Sequence, residues 1–176
     1  MACDINLGRL EPCKDSVGGI IAIYINGAYT SGLLDTATIT DGEVTAFASP
    51  LTFYKFDLKG ANGFEQTNEN SRENGTSFWT QTGTVVLKKQ DKTTTAQMKL
   101  LSYGRPQIIV QDYNGNYYLA GIENGCEVAV NTATGTGMGD LNGYNLTITG
   151  TEKSPANFVA FASMVTAADI VVVPGV

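Results

Sequence analysis

Seven Asn-Gly or Asp-Gly dipeptides punctuate this chain of 176 residues: Asn26-Gly27, Asp41-Gly42, Asn62-Gly63, Asn74-Gly75, Asn114-Gly115, Asn124-Gly125 and Asn142-Gly143. Such pairs accept the positive φ angles of two-residue hairpin turns at little steric cost. The stretches between them are rich in β-branched and aromatic residues, so the pattern predicts antiparallel sheet. Strands are expected over residues 19–26, 43–48, 51–58, 64–71, 76–89, 107–112, 117–122, 126–132 and 144–151, with a last one over 170–173. The clearest hairpin spans 107–121, with Asn114-Gly115 as its turn and Ile109 and Leu119 among its buried positions.

Two segments depart from this pattern. Residues 92–103 (KTTTAQMKLLSY) predict a helix of about three turns. Thr93 or Thr94 would cap its start, Gly104 would end it in a left-handed conformation, and Met98 and Leu101 would face a sheet. Residues 155–165 suggest a second short helix with Pro155 at its first position. Hydrophobic residues make up 43% of the chain and charged residues only 16%, enough apolar content for a sizeable core and too little charge for a disordered chain. The length fits one domain over 1–176.

The chemistry that is missing narrows function further. There is no histidine, which removes the Ser-His-Asp and Cys-His arrangements and every His-containing zinc site. Cys3, Cys13 and Cys126 lack C-x-x-C spacing, so no metal or cofactor is expected. They are read as reduced thiols, with a Cys3–Cys13 bridge as the alternative. The loop Gly135-Thr-Gly-Met-Gly139-Asp140 lacks the Lys-Ser/Thr pair of a phosphate-binding loop. Glu65 and Glu69 are the candidates for a glycosidase-like carboxylate pair, yet the sequence gives no sign of a cleft around them. No enzyme is expected. The formal net charge of −6 disfavours tight binding of nucleic acid, whose affinity comes from Lys and Arg. The first residues lack the basic and apolar regions of a signal peptide, and no apolar run suits a membrane helix. A cytoplasmic origin is therefore expected, with no membrane partner.

Residues 60–84 form the most unusual segment. If 64–71 is a strand, Glu65, Thr67, Glu69, Ser71 and Glu73 share one face by alternation. The arm after it is polar except for Phe78 and Trp79, which point to opposite faces. Such a hairpin either projects into solvent or rests on another subunit and lines an aqueous channel. Phe64, Phe78 and Trp79 are the candidate subunit-interface residues. Glu65, Glu69 and Glu73 are the candidates for a channel wall.

The series of elements then resembles a known group. Residues 65–87 (EQTNENSRENGTSFWTQTGTVVL), the helix, residues 102–119 (SYGRPQIIVQDYNGNYYL) and residues 134–150 (TGTGMGDLNGYNLTITG) follow one another as in tail-tube-type virion proteins. Those proteins belong to phages and prophages of Bacteroides-like bacteria, and include tube-like neck rings of crAss-like phages. The resemblance covers about residues 51–156. It implies an all-β fold with one flanking helix, a two-sheet antiparallel β-sandwich or partly closed barrel. It also implies a homo-oligomeric ring or stack of rings in a virion tail or neck, beside other tail, neck or portal proteins. Genome DNA would pass through without specific binding. On that reading residues 1–17 are an N-terminal arm, 60–84 an extended assembly hairpin and 152–176 a C-terminal extension. The alternative is a capsid- or fibre-associated β-sandwich binding module, with the aromatic residues as a binding platform.

Overall fold

The computed structural model describes residues 7–175. In chain order the elements are β1 (Ile20–Asn26), α1 (Leu33–Thr36), β2 (Thr38–Thr40), β3 (Glu43–Ala46), β4 (Leu51–Asp57), β5 (Gly63–Ser71) and β6 (Thr76–Lys88). There follow α2 (Lys92–Leu101), β7 (Ile108–Asp112), β8 (Tyr117–Ala120), β9 (Cys126–Ala133), β10 (Gly143–Glu152), β11 (Asn157–Val159), α3 (Phe161–Thr166) and β12 (Ile170–Val173). They build one sheet in the order β12-β4-β1-β7-β8-β11-β3-β2 and another in the order β5-β6-β10-β9. The result is an antiparallel-rich sandwich with no closed barrel, flanked by short helices.

Alternation along the strands accounts for the layers. Tyr144, Leu146 and Ile148 of β10, Val128 of β9 and Val85 of β6 point inward. They meet Ile23, Ile25, Ile108 and Val110 of the eight-stranded sheet, and together these residues form one buried cluster. The intervening residues of the same eight-stranded sheet serve a second core. Ala22, Tyr24, Phe53, Ile109 and Leu119 pack there with Val44, Val159, Ile170 and Met164 of α3. Because it is buried on both faces, β1 reads as the continuous run IIAIYIN rather than as an alternating strand.

Helix α2 lies where it was expected, with Met98 buried and Leu101 packed against the first core. Its cap differs. Asp91 holds the start, its Oδ1 accepting the Thr94 N–H at 2.7 Å and its other oxygen bonding the Thr94 hydroxyl. A carboxylate presents two separate acceptor oxygens, one for each Thr94 donor, where a threonine presents a single hydroxyl oxygen. At the other end the helix finishes on Ser102 in a right-handed conformation, and Gly104 is not among the residues with positive φ.

The turn dipeptides divide into two kinds. Asp41-Gly42 has both φ angles positive and joins β2 to β3, while Gly75, Gly115 and Gly125 take positive φ in the β5–β6, β7–β8 and β8–β9 connections. Asn26-Gly27, Asn62-Gly63 and Asn142-Gly143 instead stand at strand ends. Asn26 and Asn62 are buried: Asn26 Nδ2 donates to Gln107 Oε1 at 3.0 Å, and Asn62 Oδ1 accepts the Val86 N–H at 2.7 Å. At Gly143 a Cβ would come within 2.1 Å of the Leu87 carbonyl oxygen, so close strand approach, not a turn, requires glycine there.

Residues 152–175 are no extension. β11 is inserted between β8 and β3, β12 pairs in parallel with β4, and α3 plugs the second core. The helix expected over 155–165 begins only at Phe161, because residues 157–159 gain more by completing the sheet. Residues 7–18 are exposed and belong to no strand or helix, apart from an anchor at Val17, whose N–H and carbonyl bond the Asn114 side chain. Cys126 is a buried free thiol, and Cys13 is exposed and pairs with no described cysteine. A Cys3–Cys13 bridge lies outside the described residues. No described helix is long and apolar enough to cross a membrane.

Candidate functional site

The candidate surface is the outer face of the four-stranded sheet. Residues directly opposite one another on neighbouring strands share a face. The pairings Thr80↔Thr151, Thr82↔Thr149 and Thr84↔Thr147 therefore place three threonines of β6 beside three of β10 in register. Glu65 stands opposite Thr82 on one side, and Glu127 opposite Thr149 on the other. One row across the sheet thus reads Glu65, Thr82, Thr149, Glu127. Thr67 and Glu69 continue the β5 margin, and the Thr80 hydroxyl donates to Glu69 Oε1 at 2.7 Å. The face is a hydroxyl array bordered by carboxylates.

Glu65 and Glu69 lie on this face and are exposed, as alternation predicts. Glu73 does not belong to it: strand β5 ends at Ser71, and Glu73 stands in the turn at the tip. Phe78 shares the acidic face, directly opposite Glu69. Trp79 lies on the inner face between Asn68 and Glu152. Phe64 also turns inward, against the first core and Tyr118, with ring centroids 6.4 Å apart. The three aromatics therefore do not form one patch.

The hairpin projects less than its polarity suggests. β10 pairs with β6 from Trp79 to Lys88, so only the stretch around residues 70–78 outruns the rest of the sheet. Polar residues on its inner face are spent on joining the two sheets. Gln66 and Gln81 stand opposite each other. Gln66 Oε1 accepts the Ala156 N–H at 2.7 Å, and Gln81 Oε1 the Gly121 N–H at 3.0 Å. Glu152 is buried beside them and accepts the N–H groups of Glu123 and Asn124 at 3.2 and 2.8 Å. Burial raises its pKa against those hydrogen bonds. Sequence reasoning missed these three, since strand alternation marks which side chains face inward but not which backbone group each one meets.

The sheet's two edges complete the site. Neither the outer edge of β5 nor that of β9 has a partner among the described residues. Both strands are long and regular, nine and eight residues, and neither contains proline or lysine. The eight-stranded sheet ends quite differently, on the three-residue β2 and the four-residue β12. No group of three or more Cys, Asp or Glu residues that could hold a metal occurs among the described residues. No family model, curated protein or solved structure matches the chain.

Proposed function

We propose that this protein is a non-enzymatic virion component that closes into a ring through the edges of its four-stranded sheet. The polar face would line a tail or neck conduit for phage DNA. The observation that carries the reading is the pair of long, unbent edge strands, β5 and β9, which are free of proline and lysine and charged only at Glu65, Glu69 and Glu127. Exposed regular edges invite uncontrolled pairing, and proteins normally shorten, bend or charge them. Ring closure removes the liability instead. Four strands alternate in direction, so β5 and β9 run opposite ways. A neighbouring copy turned about a common axis then brings its β5 antiparallel to β9, continuing the pattern across the junction.

The chemistry of the face agrees with a conduit. Phosphate is held by Lys and Arg, and the rows from Phe78 to Thr84 carry none on this face. Hydroxyls bordered by Glu65, Glu69 and Glu127 repel a duplex weakly and keep it hydrated. On this reading the protein is made in the host bacterial cytoplasm and ends in the virion, against other tail, neck or portal proteins.

The test is the mass of the purified protein together with negative-stain images. Closed rings of uniform size are expected. A monomer at every concentration would reject the reading and favour a binding module.

A further inference from the structure

Four of the eleven cationic residues of this acidic chain line one groove: Lys55, Lys59, Lys88 and Lys89. The groove has a volume of about 720 Å³ and runs beside the start of α2, with Asp57 and Asp91 as its acids. Asp57 is already paired with Lys55 at 2.9 Å, and Asp91 is occupied with capping α2. Lys59, Lys88 and Lys89 are exposed. Lys88 reaches across to the Lys59 side of the groove, its Nζ lying 3.6 Å from the Cβ position of Gly60. Lys89 is held in a left-handed conformation at φ 65, its N–H bonded to Asn142 at 2.6 Å. A non-glycine residue seldom adopts that backbone.

The opposite end of β6 carries the opposite charge. The turn after β5 presents Glu73 at its tip and Glu69 just below, with Arg72 as the one cation between them. β6 has thirteen residues, so tip and groove are about 40 Å apart along a single strand. Lateral joining through β5 and β9 uses the sides of the strands and leaves their ends at the two rims of a ring. In a cyclic ring all copies point the same way. One rim then presents hairpin tips, and the other presents lysine grooves.

We infer that the lysine groove receives the Glu69–Glu73 hairpin tip of a second copy in the next ring. The contact is head-to-tail and does not close on itself, so it propagates into a tube. This inference rests on the ring reading above and deepens it, since it favours stacked rings over a single neck ring.

Charge reversal tests it, with the wild-type protein and full-length variants followed by negative stain and sedimentation. Wild-type rings should stack, and stacks should shorten between about 50 and 500 mM salt as the charges are screened. Lys88→Glu with Lys89→Glu, or Glu73→Lys alone in the turn beyond the β5 edge, should keep the rings and lower the stacked fraction by about tenfold or more, as expected for like charges facing across an interface. Combining all three changes should restore stacking. Wild-type rings that do not stack, reversed variants that stack as before, or a combined variant that fails to recover would each overturn the inference while leaving the ring reading intact. Absence of rings in the wild type would overturn both.

Discussion

One phenol tethers the first turn of α2 to the sandwich, beside the packing of Met98 and Leu101. Tyr144 is fully buried in β10, and its hydroxyl meets Thr95 Oγ1 at 2.6 Å, donates to the Asp91 carbonyl at 3.1 Å and accepts the Asp91 N–H at 3.3 Å. A ten-residue helix is shorter than the roughly 12–15 residues that stay helical alone in water. α2 therefore depends on its contacts with the sheet. Tyr144→Phe keeps the ring in the core and removes only the hydroxyl. A hydrogen bond is worth about 0.5–1.5 kcal/mol net, and a buried donor left without a partner costs about 1–3 kcal/mol. The variant should thus lose about 2 kcal/mol. For a domain of this size that lowers the midpoint of thermal unfolding by about 4–8 °C. Urea denaturation should show the loss with an unchanged m-value. Hydrogen exchange should quicken in α2 more than in β10. A loss under about 0.5 kcal/mol, with α2 exchange unaltered, would refute the claim that this hydroxyl tethers the helix.

Glu152→Gln should alter the pH dependence of stability. A carboxyl whose folded pKa is raised contributes its stability fully below the ordinary carboxylate value and loses it as pH rises through the folded value. The stability of the variant relative to wild type should therefore increase as pH rises above the ordinary carboxylate range, and a flat difference in denaturation curves would contradict this. The Cys126 thiol, pushed up to about 12 chiefly by burial, should resist alkylation at neutral pH until denaturant is added, whereas Cys13 should label at once in a mass-spectrometric assay. Gly143→Ala forces a methyl group against the Leu87 carbonyl and should cost about 3 kcal/mol in equilibrium unfolding. Deleting residues 69–75 should leave a folded protein by circular dichroism, since this stretch mostly outruns β10, while abolishing stacking.

The strands legible in the sequence were those whose side chains alternate or run apolar between turn residues, as in 107–121, where Ile109 and Leu119 are both fully buried. β11 was illegible because Asn157–Val159 has no alternating pattern of its own and is a strand only through β8 and β3. Asn-Gly pairs misled where the asparagine works by its side-chain amide, as at Asn26 and Asn62. Alternation gave the acidic margin Glu65 and Glu69 correctly, but it cannot register where a strand stops, and Glu73 fell beyond that point. The threonine array was invisible for another reason. Thr80, Thr82 and Thr84 lie more than sixty positions from Thr147, Thr149 and Thr151, and only the β6–β10 register brings them together.

That array has a mechanical meaning as well as an electrostatic one. Threonine side chains are stiff about their first bond, so six hydroxyls set in register on two strands form a nearly fixed lattice of donors and acceptors. In the proposed conduit such a lattice would hold a layer of water, and DNA drawn along it would shear water against water, as in a wetted bearing.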